Sequence, residues 1–269
     1  MKRLSVSIVT YHTSLDELAC CLRSLQSAVV DTIYVVDNSR QDYIAQFCAR
    51  HGVVYIASDN VGYGAGHNKA IAKVLEKGVP YHLVLNSDVA FAPEVLESLV
   101  TYMDDNVDVA QVQPKIVYPD GSLQYTVRML PTPIDLIARR FLPAALTRSR
   151  NRRYLLQFAN HDCEMNVPYH QGSFMMFRTD SLRHVGLFDE RFFMYPEDID
   201  ITRRMHEHYR TMYYPHVSVV HHHRAASYRS VRMLYIHIVN MIRYFNKWGW
   251  IFDAKRRRIN KELLQQLHK

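Results

Sequence analysis

The amino-acid sequence predicts an α/β fold in which a mostly parallel central sheet is flanked by helices. Short runs rich in β-branched residues alternate with helical segments over the first half of the chain, and most of these runs are continuously apolar. Continuous apolar runs indicate strands that are buried on both faces of a parallel sheet and joined by right-handed crossovers. Polar residues and carboxylates follow several of the runs, so we expect them along one edge of the sheet.

The first elements are the clearest. Leu4–Thr10 alternates as a strand, and Ser14-Leu-Asp-Glu17 is a capping box that begins a helix to about residue 27. The other predicted strands are residues 32–37, 53–58, 81–86, 109–117, 171–177 and 217–220. The other predicted helices are residues 43–50, 69–77 and 93–103, a short segment after residue 177, and a segment that opens at Pro196. Residues 128–165 show no clear element, and we interpret them as a mobile flap.

Composition places the chain among ordinary globular proteins. Of the 269 residues, 48% are apolar and 22% are charged, which allows one large or two small domains with a sizeable core. No run approaches the roughly 18 apolar residues of a membrane span, and the N-terminal strand is too short for a secretory signal. The four cysteines lack metal-ligand spacing, so we expect reduced thiols in a cytosolic protein.

The basic charge is concentrated at the C-terminal end. Residues 229–269 contain ten Lys or Arg and two Asp or Glu, whereas residues 1–228 contain 23 basic and 24 acidic side chains. A second basic cluster between residues 139 and 153 contains no acid. Such runs are either solvated faces or surfaces for anionic partners such as lipid headgroups, pyrophosphate or nucleic acid.

A carboxylate follows the predicted strand at residues 81–86. Asp88 therefore lies at the carboxyl edge of the sheet, where ligands bind in open α/β folds. Carboxylate oxygens suit Mg²⁺ or Mn²⁺, and such ions commonly bridge to substrate phosphates. Asn86-Ser87-Asp88 is also a common turn composition, so an Asx turn without a ligand is the alternative.

Two further groups of titratable residues follow strands or open helices. Pro196 fits a first helical position, so Glu197 and Asp198 fall in the first turn, where they either cap the helix or supply a carboxylate base. Three histidines, residues 221–223, follow the strand at 217–220. Side chains alternate along an extended chain, so the outer two or the middle one can reach a given site. Such a histidine is either packed or a metal ligand.

The tail combines an apolar helix with aromatic and basic residues. Residues 231–246 are apolar around most of a helix, with a narrow polar stripe at His237, Asn240, Arg243 and Lys247. Trp248-Gly-Trp250-Ile-Phe252 and then Lys255-Arg-Arg-Arg258 follow. Packing against the rest of the protein is one interpretation, and a segment that touches a membrane surface is the other.

Six ordered motifs carry a resemblance to a known family. They are Ser7-Ile-Val-Thr-Tyr11, Val35-Val-Asp37-Asn-Ser39, Asn60-Val-Gly-Tyr-Gly-Ala-Gly-His-Asn68, Leu85-Asn-Ser-Asp88, Gln171-Gly-Ser173, and Gly186-Leu-Phe-Asp189 with Glu197-Asp198-Ile-Asp200, and residues 221–227 close the series. Together they resemble the family 2 inverting glycosyltransferases with a GT-A fold, especially the bacterial rhamnosyltransferase-like branch that builds surface polysaccharides. The resemblance covers residues 4 to about 230.

The resemblance implies roles for individual residues. Asp198 would be the general base, and Asp88, at the last position of the family's Asp-X-Asp motif, would hold Mg²⁺ or Mn²⁺ together with His221 or one of its neighbours. Asn86 stands where the motif has its first Asp. The residues implied in binding the nucleotide sugar are Thr10, Tyr11 and Asp37 at the base and ribose, Asn60, Gly62, Gly66 and Asn68 in a loop that closes over the donor, and Asn86, Ser87 and Gly172.

The resemblance also implies an organisation and a reaction. Residues 1–228 would form the GT-A domain, with a nucleotide-sugar-binding half at 1–115 and an acceptor and catalytic half at 116–228, and residues 229–269 would form a basic amphipathic helical tail. The implied reaction moves L-rhamnose from dTDP-rhamnose to a lipid-linked oligosaccharide in bacterial O-antigen or capsule synthesis. A UDP-sugar donor, of galactofuranose or another hexose, is the alternative. The implied location is the cytoplasmic face of the plasma membrane, in peripheral contact with its anionic surface.

Two other classes of protein share some of these features. A sugar-nucleotide nucleotidyltransferase would also use a parallel sheet and a metal-binding carboxylate, but no Gly-rich loop with Lys or Arg follows the N-terminal strand. A nucleic-acid-binding protein could use the basic tail. However, residues 1–228 are not basic and their acidic strand ends would repel phosphate, so we expect no nucleic-acid partner.

Overall fold

The computed structural model describes residues 2–136, 144–222 and 231–267, and a central sheet organises them. The strands are β1 (Leu4–Thr10), β2 (Val30–Asp37), β3 (Val54–Ala57), β4 (Tyr81–Leu85), β5 (Val89–Ala90), β6 (Val109–Val117), β7 (Val127–Arg128), β8 (Met165–Asn166), β9 (Tyr169–His170), β10 (Phe174–Arg178) and β11 (Arg210–His221). The helices are α1 (Leu15–Ser24), α2 (Asp42–Arg50), α3 (Tyr63–Lys77), α4 (Glu94–Asp105), α5 (Ala144–Tyr154), α6 (Thr179–Val185), α7 (Glu197–His206), α8 (Val231–Trp248) and α9 (Ala254–Leu267).

The strand order of the sheet is β3-β2-β1-β4-β10-β6-β11-β5, and β8 pairs with β11. Strands β3, β2, β1 and β4 are parallel neighbours, and β6 and β11 are parallel as well. Strand β10 enters between β4 and β6 and is antiparallel to both. The predicted α/β fold with a mostly parallel sheet and flanking helices is confirmed.

Alternation along the central strands explains why helices cover both faces of the sheet. In β1, Leu4, Val6 and Ile8 are buried against one apolar cluster, which also receives buried side chains of α1, α2 and α4. The intervening position Val9 packs against a second cluster with buried residues of α3. Successive side chains of a strand point to opposite faces, so the continuous apolar runs of the sequence correspond to strands buried on both sides.

The structure differs from the sequence prediction mainly in its second half. Strand β11 begins at Arg210, seven residues before the predicted start at residue 217, and the short strands β5, β7, β8 and β9 were not predicted. Residues 128–165, interpreted as a mobile flap, contribute β7, α5 and β8. Residues 137–143 of this segment lie outside the described part of the chain. Short strands carry too few residues for a periodic pattern, which is why the sequence did not indicate them.

A further apolar cluster, separate from the two at the faces of β1, joins the tail to the middle of the chain. Tyr244 and Phe245 of α8 and Ile259 and Leu263 of α9 are buried together with residues of β7, α5 and β11. Burial of one such side chain stabilises a fold by about 1.5–3 kcal/mol. The two tail helices are therefore part of the folded core, although the predicted boundary at residue 228 itself falls among the residues that are not described.

An ion pair fixes the start of α9 against α7. The Arg203 guanidinium donates two hydrogen bonds to the Asp253 carboxylate, at 2.7 and 2.8 Å, and both side chains are buried. The guanidinium also lies 4.0 Å from the ring centroid of Trp248. Burial opposes ionisation of Asp253, but the hydrogen bonds from Arg203 prevail and lower the pKa of this carboxyl.

Of the polar stripe predicted on α8, Asn240 and Lys247 bind other parts of the protein, whereas Arg243 is exposed. Asn240 donates to the Met194 carbonyl at 3.0 Å, and Lys247 lies 2.8 Å from Asp189 and 2.7 Å from Asp200. The opposite side of α8 is exposed and apolar. Within the described ranges, no helix is both long enough and apolar enough to cross a membrane.

Candidate active site

The end of β4 places three polar residues in different surroundings. The Asn86 amide oxygen accepts a hydrogen bond from the Tyr63 hydroxyl at 2.8 Å, and Asn86 and Asp88 both line a cavity of about 640 Å³. Ser87 points away from this cavity and donates to the Glu17 carboxylate of α1 at 2.5 Å. Asn86 follows β4, and Ser87 and Asp88 form the turn before β5, which directs Asn86 and Asp88 to the cavity and Ser87 to α1.

The Asp88 carboxylate meets His221 at the end of β11. The Nε2 atom of His221 lies 3.3 Å from Oδ1 of Asp88, and both residues line the cavity. Of the three consecutive histidines, His222 is exposed and residue 223 lies outside the described part of the chain. The structure thus selects His221 as the histidine that faces Asp88.

Gln124 fixes the tautomer of His221. The Gln124 amide nitrogen donates to the His221 carbonyl at 2.8 Å, so its amide oxygen faces Nδ1 of the imidazole at 2.9 Å. Nδ1 must therefore carry a hydrogen, so Nε2, which faces Asp88, is the atom that holds the electron pair whenever the ring is neutral. Hydrogen bonds of this kind orient histidine ligands in metal sites.

The pair of Asp88 and His221 has the donor atoms of a divalent-cation site. When the imidazole is neutral, Nε2 and the facing carboxylate oxygen are both electron-pair donors of the kind that bind divalent cations. Carboxylate oxygens suit Mg²⁺ and Mn²⁺, and an imidazole favours the transition metal of the two. In the described ranges, no group of three or more His, Cys, Asp or Glu side chains is arranged to hold a metal. The remaining ligands would have to come from substrate and water.

Asp198 lies in the first turn of α7 and lines the same cavity. Its Oδ2 accepts a hydrogen bond from the backbone N–H of Gly172 at 3.0 Å, and its Oδ1 accepts one from the N–H of Ile199 at 2.7 Å. Burial raises the pKa of Asp198 to about 7, although these N–H groups and the charge of Arg128 lower it. A carboxylate that titrates near neutral pH matches the requirement for a general base.

Glu197 sits beside Asp198 but is not equivalent to it. Burial, together with the charge of Asp198, raises the pKa of Glu197 well above its usual value. The two carboxyls therefore do not ionise together, and the backbone hydrogen bonds favour the anion at Asp198.

Tyr195, two residues before α7 begins, also lines the cavity. Its φ is 94°, a conformation that non-glycine residues rarely adopt.

Tyr63 and Arg128 also line the cavity, although the sequence did not single them out as site residues. The Tyr63 hydroxyl lies 2.7 Å from the Gly172 carbonyl as well as near Asn86, so it links α3 to the segment before β10. Arg128 of β7 donates to the Tyr125 carbonyl at 3.0 Å and stacks over Tyr169, with 5.2 Å between the guanidinium and the ring centroid. Its cationic group is thereby held at the cavity wall.

The sequence matches the family described as Glycosyl transferase family 2 over residues 5–186. The chain belongs to this family. The resemblance drawn from the six sequence motifs is thereby confirmed.

Relatives of this family 2 chain are named as rhamnosyltransferases. It is 30% identical over 176 residues to N-acetylglucosaminyl-diphospho-decaprenol L-rhamnosyltransferase of Mycobacterium tuberculosis, which covers 61% of this chain and 56% of that protein. It is 29% identical over 179 residues to rhamnosyltransferase WbbL of Escherichia coli, which covers 64% of this chain and 65% of that protein. The chain thus aligns with a little over half to two thirds of the length of these relatives.

The fold is that of GT-A glycosyltransferases. The crystal structure of GalNAc-T7 with UDP, GalNAc and Mn²⁺ superimposes with a TM-score of 0.62 at 14% identity and covers 82% of this chain and 43% of that one. This likeness concerns the arrangement of strands and helices.

The family 2 chain gathers only some of the predicted residues around the cavity. Those that line it are Asn86, Asp88, Gly172, Asp198 and His221. Thr10, Tyr11 and Asp37 lie at the ends of the neighbouring strands β1 and β2, where Thr10 and Asp37 are paired in register. Tyr11 is about half exposed, at 53% of its surface.

The Asp37 carboxylate is held within its own turn. It accepts hydrogen bonds from the N–H groups of Ser39 and Gln41, at 3.0 and 2.6 Å, and from the hydroxyls of Ser39 and Tyr55, at 2.6 and 3.2 Å. Burial opposes ionisation of Asp37, but these hydrogen bonds prevail and lower its pKa. The carboxylate is thus a fixed anion at the edge of the sheet.

The glycine-rich segment at residues 60–68 makes contacts within the protein. Asn60 is exposed, whereas α3 already begins at Tyr63. A Cβ at Gly62, where φ is 99°, would lie 2.3 Å from the Phe193 carbonyl oxygen, and one at Gly66 would lie 2.9 Å from a Val9 methyl. Asn68 exchanges two hydrogen bonds with the backbone of Phe188. These residues hold α3 against the segment that leads into α7, and apart from Tyr63 they do not line the cavity.

Proposed function

We propose that this protein is an inverting glycosyltransferase that moves L-rhamnose from dTDP-rhamnose to a hydroxyl group of a lipid-linked oligosaccharide. The observation that carries the proposal is the cavity in which Asp198, whose pKa is about 7, faces the same space as the pair of Asp88 and His221. The names of the rhamnosyltransferase relatives support the sugar and the class of acceptor.

Asp88 and His221 are the residues that would hold a divalent cation, Mg²⁺ or Mn²⁺. When bound, the cation neutralises the charge that develops on the diphosphate as it leaves the sugar. Gln124 keeps Nε2 of His221 available by retaining the hydrogen on Nδ1. The solved neighbour that carries UDP and Mn²⁺ supports a divalent cation in this fold.

Asp198 would act as the base that activates the acceptor. Its carboxylate takes the proton of the acceptor hydroxyl while the oxygen forms a bond to the anomeric carbon, and the bond from that carbon to the diphosphate oxygen breaks. Attack from the face opposite the leaving group inverts the anomeric centre. Burial raises the pKa of Glu197 well above its usual value and so disfavours its ionised form, which makes Asp198 the better candidate for the base.

Binding of the donor tests the proposal directly. The unfolding of the protein is monitored by thermal shift with dTDP-rhamnose, UDP-galactose, UDP-glucose, UDP-N-acetylglucosamine or GDP-mannose, each with and without Mn²⁺. Saturation at about 100 times the dissociation constant raises the free energy of unfolding by about 2.7 kcal/mol. We expect such a shift with dTDP-rhamnose and Mn²⁺, followed by transfer of rhamnose to a lipid-linked acceptor.

Variants separate the metal site from a general effect on stability. Asp88→Ala and His221→Ala are expected to abolish the Mn²⁺-dependent part of the shift, whereas Asp180→Ala, at an exposed surface pair, is expected to retain it. A shift that persists in Asp88→Ala would contradict the assignment of the metal ligands. A thermal shift with a UDP-sugar but not with dTDP-rhamnose would identify the UDP-sugar as the donor. Absence of both a thermal shift and sugar transfer with every nucleotide sugar would refute the proposed function.

We further propose that α8 and the loop after it touch the anionic cytoplasmic face of the membrane. Val231, Tyr235, Ile238 and Ile242 follow helical spacing and are all exposed, so they form one apolar face on the side opposite the packed polar stripe. The loop residue Phe252 is 88% exposed. An exposed apolar face beside a basic segment is typical of helices that lie at a lipid surface.

Point substitutions test this contact, because removal of the tail would also remove buried core residues. We expect Phe252→Ser to weaken binding to vesicles that contain phosphatidylglycerol by about tenfold or more, since a buried Phe side chain contributes about 1.5–3 kcal/mol. Val107→Ser is the matched control, because Val107 is 78% exposed on the loop between α4 and β6. Equal vesicle binding by both variants would refute the contact.

A further inference from the structure

A large groove opens between part of the tail and the middle of the chain. We define the tail groove as the cavity of about 1720 Å³ between residues 129–135, α5 and residues 250–266. It is distinct from the catalytic cavity, and none of the residues discussed so far as catalytic or metal-binding lines it. Such a volume is large enough for an extended ligand.

Part of the lining of the tail groove is apolar. Met129 and Leu130, next to β7, line the groove and pack in one apolar cluster with Leu264 of α9, which also lines it. Ile134 and Ile251 are the exposed apolar residues of the lining and form its rim. Ile134 is 55% exposed and Ile251 is 67% exposed. The apolar lining therefore continues to the surface, close to the exposed loop that we propose to touch the membrane.

The charge of the tail groove is positive. Five of its lining residues are Arg or Lys, whereas Asp135 and Glu262 are its two acids. Arg150 pairs with Asp135 at 2.7 Å, and the buried Arg256 is directed at backbone carbonyls. The other three cationic residues, Arg153, Arg257 and Lys261, are exposed at the groove, and Arg257 also donates a hydrogen bond to the Ile251 carbonyl at 3.3 Å.

The tail groove and the catalytic cavity share a wall. Tyr154 lines both, and the consecutive residues Arg128 and Met129 line the cavity and the groove respectively. The two spaces are therefore adjacent at Tyr154, which is buried.

We propose that the tail groove holds the lipid diphosphate of the acceptor. The isoprenoid chain lies on the apolar lining and leaves through the exposed rim, and the diphosphate is bound by Arg153, Arg257 and Lys261. Cationic side chains form charge-assisted hydrogen bonds with phosphate oxygens, and the apolar residues of the lining favour a ligand that also carries a hydrocarbon chain. This inference rests on the proposed function, because it assigns the acceptor's lipid end to a site of its own.

Binding of farnesyl diphosphate, a short isoprenoid diphosphate, tests the assignment without any transfer reaction. Titrations are followed by calorimetry with EDTA present, so that a diphosphate held by a metal at Asp88 and His221 does not contribute. We expect farnesyl diphosphate to bind at least about tenfold more tightly than either inorganic pyrophosphate or farnesol, since each of these lacks one half of the ligand.

Two pairs of neighbouring arginines provide a test variant and its matched control. Arg153 and Arg257 line the groove, whereas Arg152 and Arg258, on the same helices and also exposed, do not. We expect the double variant Arg153→Ala/Arg257→Ala to bind farnesyl diphosphate about tenfold or more weakly, and Arg152→Ala/Arg258→Ala to bind it as the unaltered protein does. Both variants are expected to keep the thermal shift produced by the nucleotide sugar.

The outcomes separate the groove from the reaction. Absence of farnesyl diphosphate binding, or equal loss in the two double variants, would overturn the groove assignment even when sugar transfer takes place. Binding of pyrophosphate as tight as that of farnesyl diphosphate would overturn it too, because the lipid would then make no contribution. Failure of nucleotide-sugar binding would refute the proposed function but would leave the farnesyl diphosphate result intact. Loss of anionic-vesicle binding in the groove variant, without farnesyl diphosphate binding, would assign the groove to the membrane surface instead.

Discussion

Replacement of Arg128 by Gln removes a cation that stabilises the ionised form of the proposed base. Burial raises the pKa of Asp198 to about 7, and the charge of Arg128 is among the interactions that lower it. Glu197 and Tyr63 lie beside this carboxyl, and burial raises the pKa of each well above its usual value. Arg128 is thus a cation through which the titration of Asp198 can be altered.

The expected effect on the rate follows from the fraction of Asp198 that is ionised. An Arg near a carboxylate lowers the pKa of that carboxylate by about 1–3 units. With a pKa of about 7, half of the base is ionised at pH 7. A rise of about one unit leaves roughly a tenth ionised, so the transfer rate at pH 7 falls about fivefold, and the loss disappears at about pH 9.

The assay is the pH dependence of kcat/KM for sugar transfer between pH 5.5 and pH 9.5. The rate of the unaltered protein should rise with pH through about 7, because Asp198 must lose its proton to act as a base. Arg128→Gln should move this rise to higher pH, whereas Arg128→Lys, which keeps the charge but not the planar hydrogen bonds, should leave its position unchanged. A loss that is equal at every pH would show that Arg128 acts on the fold or on binding and would refute the electrostatic argument.

Two further predictions concern stability. Asp253→Ala removes the carboxylate that pairs with the buried Arg203, so we expect the free energy of unfolding in urea to fall by about 3–5 kcal/mol, and a loss below about 1 kcal/mol would show that the pair is solvated. Gly62→Ala should destabilise the protein more than Gly78→Ala, because both glycines have positive φ but only at Gly62 would the Cβ meet the Phe193 carbonyl, at 2.3 Å. Gly78→Ala, where the added Cβ meets no atom within 4 Å, should lower the free energy of unfolding in urea by about 1–2 kcal/mol. Equal losses in the two variants would contradict the steric argument.

Local sequence patterns were sufficient for the first half of the fold. Each predicted strand and helix between Leu4–Thr10 and Val109–Val117 has a counterpart in the structure, although the two-residue strand β5 was missed. These elements are long and periodic, and their ends carry capping or turn residues, so the information lies within a few neighbouring positions. The segment from β7 to β9 lacks such runs and takes its form from long-range pairing.

The sequence also indicated the chemistry of the site but not its full membership. Asp88, Asp198 and His221 stood out because polar residues follow strands or open a helix, and these three do line one cavity. Arg128 and Gln124 did not stand out, because the reason for their presence is a partner far along the chain. Gln124 and His221, for example, are 97 positions apart.

The sequence by itself determined the α/β class, the order of the longer elements up to β6 and the residue types at the edge of the sheet. The tertiary structure decided that β10 runs antiparallel between β4 and β6, that His221 rather than His222 meets Asp88, and that Asn240 and Lys247 of α8 bind other parts of the protein. The periodicity of a sequence indicates which side chains share a face of one helix or strand, but it does not indicate what that face packs against. Polar residues on an otherwise apolar helix could therefore face solvent or buried carbonyls and carboxylates, and only the packing of the whole chain distinguishes the two.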